Sequence, residues 1–176
     1  MKVYPDQTLC LPGSVVTIGA FDGVHRGHQA LIGRAVDRAR ELDVPAVVYT
    51  FDPPPRAYFQ GAPVLTPLAR KIRRLRVLGP GYVVVAGFDA GYAARSAEDF
   101  LEELAALNPS EVWVGVDFRF GRGGAGDVDA LATRFRTRSF EPVQCGEGEV
   151  ISSSRVRRLL AQGATGEARA LLGWSP

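Results

Sequence analysis

Both histidines of the chain fall in one stretch, Gly19-Ala20-Phe21-Asp22-Gly23-Val24-His25-Arg26-Gly27-His28. They stand at i and i+3 with a glycine between them. Gly19 and Gly23 allow the backbone to turn tightly and to come close to a ligand. Helical periodicity begins directly afterwards, so the first turn of that helix offers unpaired N–H groups and a partial positive charge. Two imidazoles at such a point can donate hydrogen bonds to phosphate oxygens without carrying permanent charge. The chemistry this suits is phosphate recognition. The plainer alternative is a pair of surface or core histidines at a helix start. The position of the loop, directly after an apolar strand, favours the phosphate reading.

The elements that must hold this loop follow from periodicity. Ser14–Ile18 reads as a buried strand, followed by a helix over His28–Leu42 with Leu31, Ile32, Ala35, Val36, Ala39 and Leu42 at helical spacing. Further strands are predicted at Ala46–Phe51, Tyr82–Ala86, Glu111–Val116 and, more weakly, Ser139–Val143. Between them lie helices from Thr66-Pro67 to Leu78, from Ser96 to near Leu107, and over Asp127–Arg136. Ser153 or Ser154 is expected to cap a helix running to Gln162, and a last short helix covers Gly166–Leu172. Pro53, Pro54 and Pro55 are expected to forbid a regular element after the second strand. The alternation predicts an α/β, Rossmann-like, doubly wound and mostly parallel five-stranded sheet with helices on both faces. In such sheets ligands bind beyond the carboxyl ends of the strands, where strand order reverses.

Composition sets the bounds. The chain has 176 residues, with apolar residues at 46% and charged residues at 23%, which suits one globular domain and excludes wholesale disorder. The 21 basic and 19 acidic residues give a net charge of +2, too balanced to suggest nucleic-acid binding. Cys10 and Cys145 are far apart and have no metal-ligand spacing, so a zinc site and a disulfide scaffold are not expected. No secretory signal or apolar run of membrane-spanning length is present, so no membrane role is expected, and a cytoplasmic location is. In the run Arg70-Lys71-Ile72-Arg73-Arg74-Leu75-Arg76, Leu68, Ile72, Leu75 and Leu78 make one apolar face, so the basic residues are expected to form a solvated opposite face. Gly121-Arg122-Gly123-Gly124-Ala125-Gly126 matches Gly-x-Gly-x-x-Gly, but it follows the fourth strand rather than the first. A dinucleotide fingerprint is therefore rejected.

Four segments in order carry a resemblance. Phe21–His28 is similar to the His-x-Gly-His signature of the nucleotidyltransferase superfamily, and in detail to the FMN adenylyltransferase module of bacterial FAD synthetases. Thr50-Phe51-Asp52-Pro53-Pro54-Pro55 resembles that family's Thr-Phe-Glu-Pro-x-Pro. Val114–Gly121 resembles its Val-Gly-x-Asp-Phe-Arg-Phe-Gly. Ile151-Ser152-Ser153-Ser154-Arg155-Val156-Arg157 resembles its Ile-Ser-Ser-Thr-x-Ile-Arg. Three departures stand out: Ala20 where Asn is frequent, Asp52 for Glu, and Ser154 for Thr.

The resemblance implies transfer of AMP from ATP to FMN, giving FAD and pyrophosphate. It implies His25, His28 and Arg157 as the catalytic groups, with Arg157 toward the β- and γ-phosphates. Gly19, Phe21, Asp22, Gly23, Asp117, Ser152, Ser153, Ser154 and Arg157 would bind ATP. Asp52, Pro53, Pro55, Arg56, Phe59, Phe118 and Phe120 would bind the flavin, with Arg56 near the FMN phosphate. Phe118 and Phe120 could equally be core. Mg²⁺ is expected to accompany ATP without a dedicated protein cage. Residues 1–176 are expected to form a single nucleotidyltransferase domain, because the chain stops at Leu171–Pro176, where the family's riboflavin kinase domain would follow. A separate riboflavin kinase would then supply FMN. Two alternatives stay open. One is a nucleotidyltransferase using CTP or another acceptor, against which the Glu147–Val150 lead-in speaks. The other is a flavin- or nucleotide-binding module without catalysis.

Overall fold

The computed structural model describes residues 1–146 and 148–174. Glu147 of the Glu147–Val150 lead-in and the closing Ser175-Pro176 lie outside the described residues. Six strands form one sheet: β1 (Lys2–Pro5), β2 (Ser14–Ile18), β3 (Ala46–Asp52), β4 (Tyr82–Gly87), β5 (Pro109–Gly115) and β6 (Thr137–Phe140). Their order is β1-β4-β3-β2-β5-β6, and every neighbouring pair is parallel. The doubly wound α/β expectation is met, with six strands in place of five. The additional strand, β1, lies at the sheet edge with mostly exposed side chains. It is held by backbone pairing to β4 and carries no apolar alternation to read. At the other edge β6 begins two residues earlier than expected and ends before Pro142.

Around the sheet lie α1 (Arg26–Glu41), α2 (Pro55–Gln60), α3 (Leu68–Val77), α4 (Ala90–Ala93), α5 (Ala97–Ala105), α6 (Val128–Ala132), α7 (Ser153–Ala161) and α8 (Thr165–Leu172). Alternate strand residues feed two cores. Val15, Val48 and Val83 pack with Leu31, Ile32, Val36 and Leu75 on one face. On the other, Val16, Val47, Val84 and Val112 pack with Phe100, Leu101 and Leu104. All five residues of β2 are buried, as the centre of a parallel sheet requires. A smaller cluster of Ile151, Val156, Leu159, Ala168 and Leu171 joins α7 to α8.

Three further expectations are corrected. The prolines after β3 do not forbid a helix. Pro55 starts α2 at a first-turn position, where its missing N–H costs nothing. The cap of α7 is Ser152, whose side chain accepts from Arg155 N–H at 3.2 Å, rather than Ser153 or Ser154. The basic run of α3 is solvated only in part: Arg70, Arg73 and Arg76 are exposed as expected, while Lys71 is fully buried and Arg74 is 8% exposed. Each donates to a carbonyl of the histidine loop, Lys71 to Ala20 and Arg74 to Gly23.

This topology fixes where a ligand can sit. From β2 the chain passes to β3 on one side, while β5 lies on the other. The carboxyl ends of β2 and β5 therefore flank the switch point. The segment after β2 is the histidine loop, and the segment after β5 carries Asp117, Phe118 and Phe120.

Candidate functional site

The loop between β2 and α1 is tightly wound. Phe21 and Val24 take left-handed conformations, with φ of 47° and 43°, and Gly23 sits at φ 83°. For a non-glycine residue such a backbone costs about 1–3 kcal/mol and persists only where the surroundings dictate it. His25 then turns extended and caps α1, its Nδ1 accepting from the His28 N–H at 3.3 Å. An accepting Nδ1 leaves the ring proton on Nε2, so His25 is fixed as a neutral Nε2–H donor. The two imidazoles stack at 3.5 Å between centroids and 18° between planes, with the Phe21 edge against His28. Gly27 leaves room for this: a Cβ there would stand tightly, 3.2 Å from His25 Nδ1 and 3.4 Å from the Ile151 carbonyl oxygen.

Burial keeps both rings uncharged. His25 is pushed down to about 4, chiefly by desolvation. His28 is held well below the usual imidazole value, first by burial and then by the nearby His25 and Lys71 charges. His28 Nδ1 is buried and has no hydrogen-bond partner. A buried polar atom left in that condition is costly and suits a site that a ligand completes.

The rings face a cavity of about 440 Å³. Its wall includes Gly19 and Phe21 from the loop, Asp117 and Phe118 after β5, and Ser152, Ser153 and Ser154 at the start of α7. The open N-terminal turn of α7 supplies N–H donors there. Arg56 and Arg119 bring the positive charge, and Arg56 donates to Ser154 Oγ across the mouth. A second cavity of about 460 Å³ adjoins the first, sharing Phe51, Pro55 and Arg119. Its wall is aromatic: Phe59, Phe88, Tyr92, Phe100 and Phe120, with the glycine-rich turn at Gly121–Gly124 closing one side.

The site residues named from sequence divide between these places. His25, His28, Gly19, Phe21, Asp117, the three serines, Arg56 and Phe118 line the histidine cavity. Phe59 and Phe120 line the aromatic one, and Pro55 lines both. Phe120 belongs to the core as well, stacked at 5.7 Å on Phe118. Asp52, Pro53, Asp22, Gly23 and Arg157 are in neither wall. Asp22 accepts from the Leu65 and Thr66 N–H groups and from Arg157 Nη2 at 2.5 Å. Arg157 also donates through Nε to the Pro63 carbonyl oxygen at 2.7 Å. The two charges are therefore turned to each other, behind the histidine loop.

Several residues escaped the sequence reading. Phe88, Tyr92 and Arg95 come from α4 and its flanks, an element of four residues too short to show a period. Behind them Glu103 accepts from Tyr49 Oη at 2.6 Å and from Arg95 Nη1 at 2.6 Å, while Tyr49 and Tyr92 hydroxyls meet at 2.9 Å. The Arg95 guanidinium stands 5.0 Å over the Tyr92 ring. Lys71 was legible in principle, because position 71 is i+3 from Leu68 and i−4 from Leu75, on the apolar face itself. Its Nζ donates to the Ala20 and Phe51 carbonyl oxygens at 3.1 and 2.8 Å.

With this geometry in hand, similarity to known proteins is informative. The sequence profile of the FAD synthetase family matches residues 8–155. A Geobacillus thermodenitrificans relative named "Putative bifunctional riboflavin kinase/FMN adenylyltransferase" is 54% identical over 175 residues, which is 99% of this chain and 98% of the relative. The bifunctional riboflavin kinase/FMN adenylyltransferase of Escherichia coli K12 is 39% identical, matching 92% of this chain and 54% of its own length. That of Pseudomonas fluorescens is 38% identical, with the same shares. The chain thus spans nearly all of the first relative and about half of the other two. Among solved structures, one described as a macrolide-efflux protein from Streptococcus pneumoniae superposes with a TM-score of 0.84 at 28% identity, over 98% of this chain and 61% of that one. The profile spans the histidine loop, the Thr50–Pro55 and Val114–Gly121 segments and the start of α7, and on that match the chain belongs to the FAD synthetase family.

Proposed function

We propose that this chain is an FMN adenylyltransferase: it transfers AMP from ATP to FMN and releases pyrophosphate. The observation that carries the reading is the shared wall of the two cavities. A site rich in phosphate-binding groups opens onto one lined by aromatic rings, with Phe51, Pro55 and Arg119 common to both. The triphosphate takes the histidine cavity and the flavin ring the aromatic one, which brings the FMN phosphate to the junction.

The reaction is an in-line displacement. An FMN phosphate oxygen attacks the α-phosphorus, the bond to the β-phosphate breaks, and pyrophosphate leaves with the electron pair. The nucleophile is largely ionised at neutral pH, so no general base is required. The chain's work is alignment and stabilisation of charge on the phosphate oxygens. His25 donates through Nε2–H, and His28 beside it supplies a second imidazole donor. Both are neutral, so the donation needs no proton uptake. The N-terminal turn of α7 and its serines cradle the far phosphates, and Arg56 and Arg119 supply the cationic charge. Arg157 supports the histidine loop through Asp22.

The residues fit Mg²⁺ delivered with ATP. Among the described residues no group of three or more His, Cys, Asp or Glu could hold a metal. Asp117 is placed to offer one carboxylate, leaving the remaining ligands to phosphate oxygens and water. When bound, the ion would neutralise charge on the triphosphate. A riboflavin kinase activity would supply the FMN. No helix among the described residues is long and apolar enough to cross a membrane. Cys10 and Cys145 are not in a disulfide, which suits a reducing compartment such as the cytoplasm.

Incubation of the purified chain with FMN, ATP and Mg²⁺, followed by chromatography, tests the proposal. FAD and pyrophosphate in equal amounts are expected. Flavin binding without turnover, or turnover with CTP in place of ATP, would overturn it.

A further inference from the structure

The carbonyl oxygens of the histidine loop are held from several sides. Ala20 O accepts from Thr50 Oγ1 at 3.0 Å and from Lys71 Nζ at 3.1 Å. Asp22 O accepts from Ser153 Oγ at 2.8 Å, and Gly23 O from Arg74 Nη1 at 3.1 Å. Val24 O accepts twice, from Gln29 Nε2 at 2.8 Å and from Trp174 Nε1 at 2.7 Å. The donors come from β3, α3, α7, α1 and the segment after α8. Three of them, from α3, α1 and the segment after α8, converge: the Arg74 guanidinium stands 5.8 Å over the Trp174 ring, and Gln29 also donates to Leu172 O at 2.7 Å.

We propose that Arg74, Gln29 and Trp174 are positioning residues that hold the Gly23 and Val24 carbonyls so that His25 and His28 stack toward their cavity. None of the three is in a cavity wall. Each reaches the residues directly before His25. Val24 is β-branched at φ 43°, a conformation it does not keep unaided. A relaxed Val24 would re-aim the next residue, and His25 both caps α1 and carries the ring that stacks on His28. Small misplacements of aligned groups are expensive in rate. The segment after α8 is thereby coupled to the phosphate site. This inference rests on the reading of the histidine cavity as the triphosphate site.

Two single variants and their combination test it. Trp174→Phe keeps a ring under Arg74 and removes the N–H donor; Gln29→Leu removes the other donor to the same oxygen. Each is expected to lower kcat by about tenfold with KM for FMN and ATP nearly unchanged. The double variant should lose more than the product of the two, because Val24 O is then left without a side-chain donor. A second readout does not depend on the reaction. With two histidines in the chain, each ring gives its own proton NMR signal. In the wild type both should titrate well below the usual imidazole range, and in the variants at least one should return toward it as the rings unstack. Variants with wild-type kcat and wild-type titrations would overturn the proposal, whether or not their melting temperature falls. If the wild-type chain makes no FAD, the adenylyltransferase reading fails, while the titrations still decide whether these residues hold the loop.

Discussion

Arg157 Nη2 donates to Asp22 Oδ2 at 2.5 Å, and this pair ties α7 to the loop three residues before His25. Asp22 is 2% exposed at its side chain and Arg157 13%, so the pair is poorly solvated. Removing one partner leaves an uncompensated charge, which typically costs about 3–5 kcal/mol. Arg157→Met is expected to lower the melting temperature and kcat together, and Asp22→Asn to do the same. In the double variant the losses should fall short of the sum, with a coupling of roughly 0.5–3 kcal/mol. Thermal melts and initial rates on the four proteins decide this. A large rate loss at an unchanged melting temperature in Arg157→Met would instead mean that Arg157 contacts the triphosphate directly.

His28→Ala removes a ring from the stacked pair. As the loss of a donor aimed at developing charge, it is expected to reduce kcat by on the order of 10²-fold or more. Steady-state rates of FAD formation measure it. A near-normal rate with only a lowered melting temperature would show the histidine to be structural.

The buried imidazoles also set a pH dependence of stability. In the unfolded chain both titrate near the ordinary value of about 6.5. In the folded chain His25 is depressed to about 4 and His28 lies well below its usual value. Between those limits the unfolded state binds more protons, so stability falls as pH drops from about 6.5 toward 4, and the contribution is fully present above that window. For His25 the total is on the order of 3 kcal/mol. Urea melts at pH 7, 6, 5 and 4.5 should show this slope, and His25→Asn should flatten it. Equal stability at pH 7 and pH 5 in the wild type would contradict it.

Glu103 is 5% exposed at its side chain and organises Tyr49 and Arg95, and through them Tyr92, behind the aromatic cavity. Glu103→Gln keeps the shape and removes the charge that holds Arg95. The expected outcome is a KM for FMN raised by about tenfold, as for one weakened charged hydrogen bond, with KM for ATP unchanged. Equal effects on both substrates would place the defect in the fold rather than in the acceptor cavity.

What the sequence disclosed, and what it did not, follows from the same physics. The histidine loop was legible because its residue types are rare in this chain and sit at a strand-to-helix junction. Ser152–Ser154 were legible because serine marks a helix start, although which one caps α7 depended on backbone geometry. The edge strand β1 buries too little to leave a pattern. Arg157 reads as a phosphate ligand from its motif, yet its partner Asp22 is far away in sequence and became visible only when α7 packed on the loop. Lys71 and Arg74 read as solvent-facing because they are charged. They are buried because the Ala20 and Gly23 carbonyls of the histidine loop, distant in sequence, supply acceptors that the helical pattern alone does not show.

The central claim is that a phosphate oxygen of FMN attacks the α-phosphorus of an ATP held beside His25 and His28. Its most direct test is label transfer. With ATP radiolabelled at the α-phosphorus, the label should appear in the flavin product; with ATP labelled at the γ-phosphorus, it should appear in pyrophosphate alone. Label from the γ position in the flavin, or none from the α position, would contradict the account.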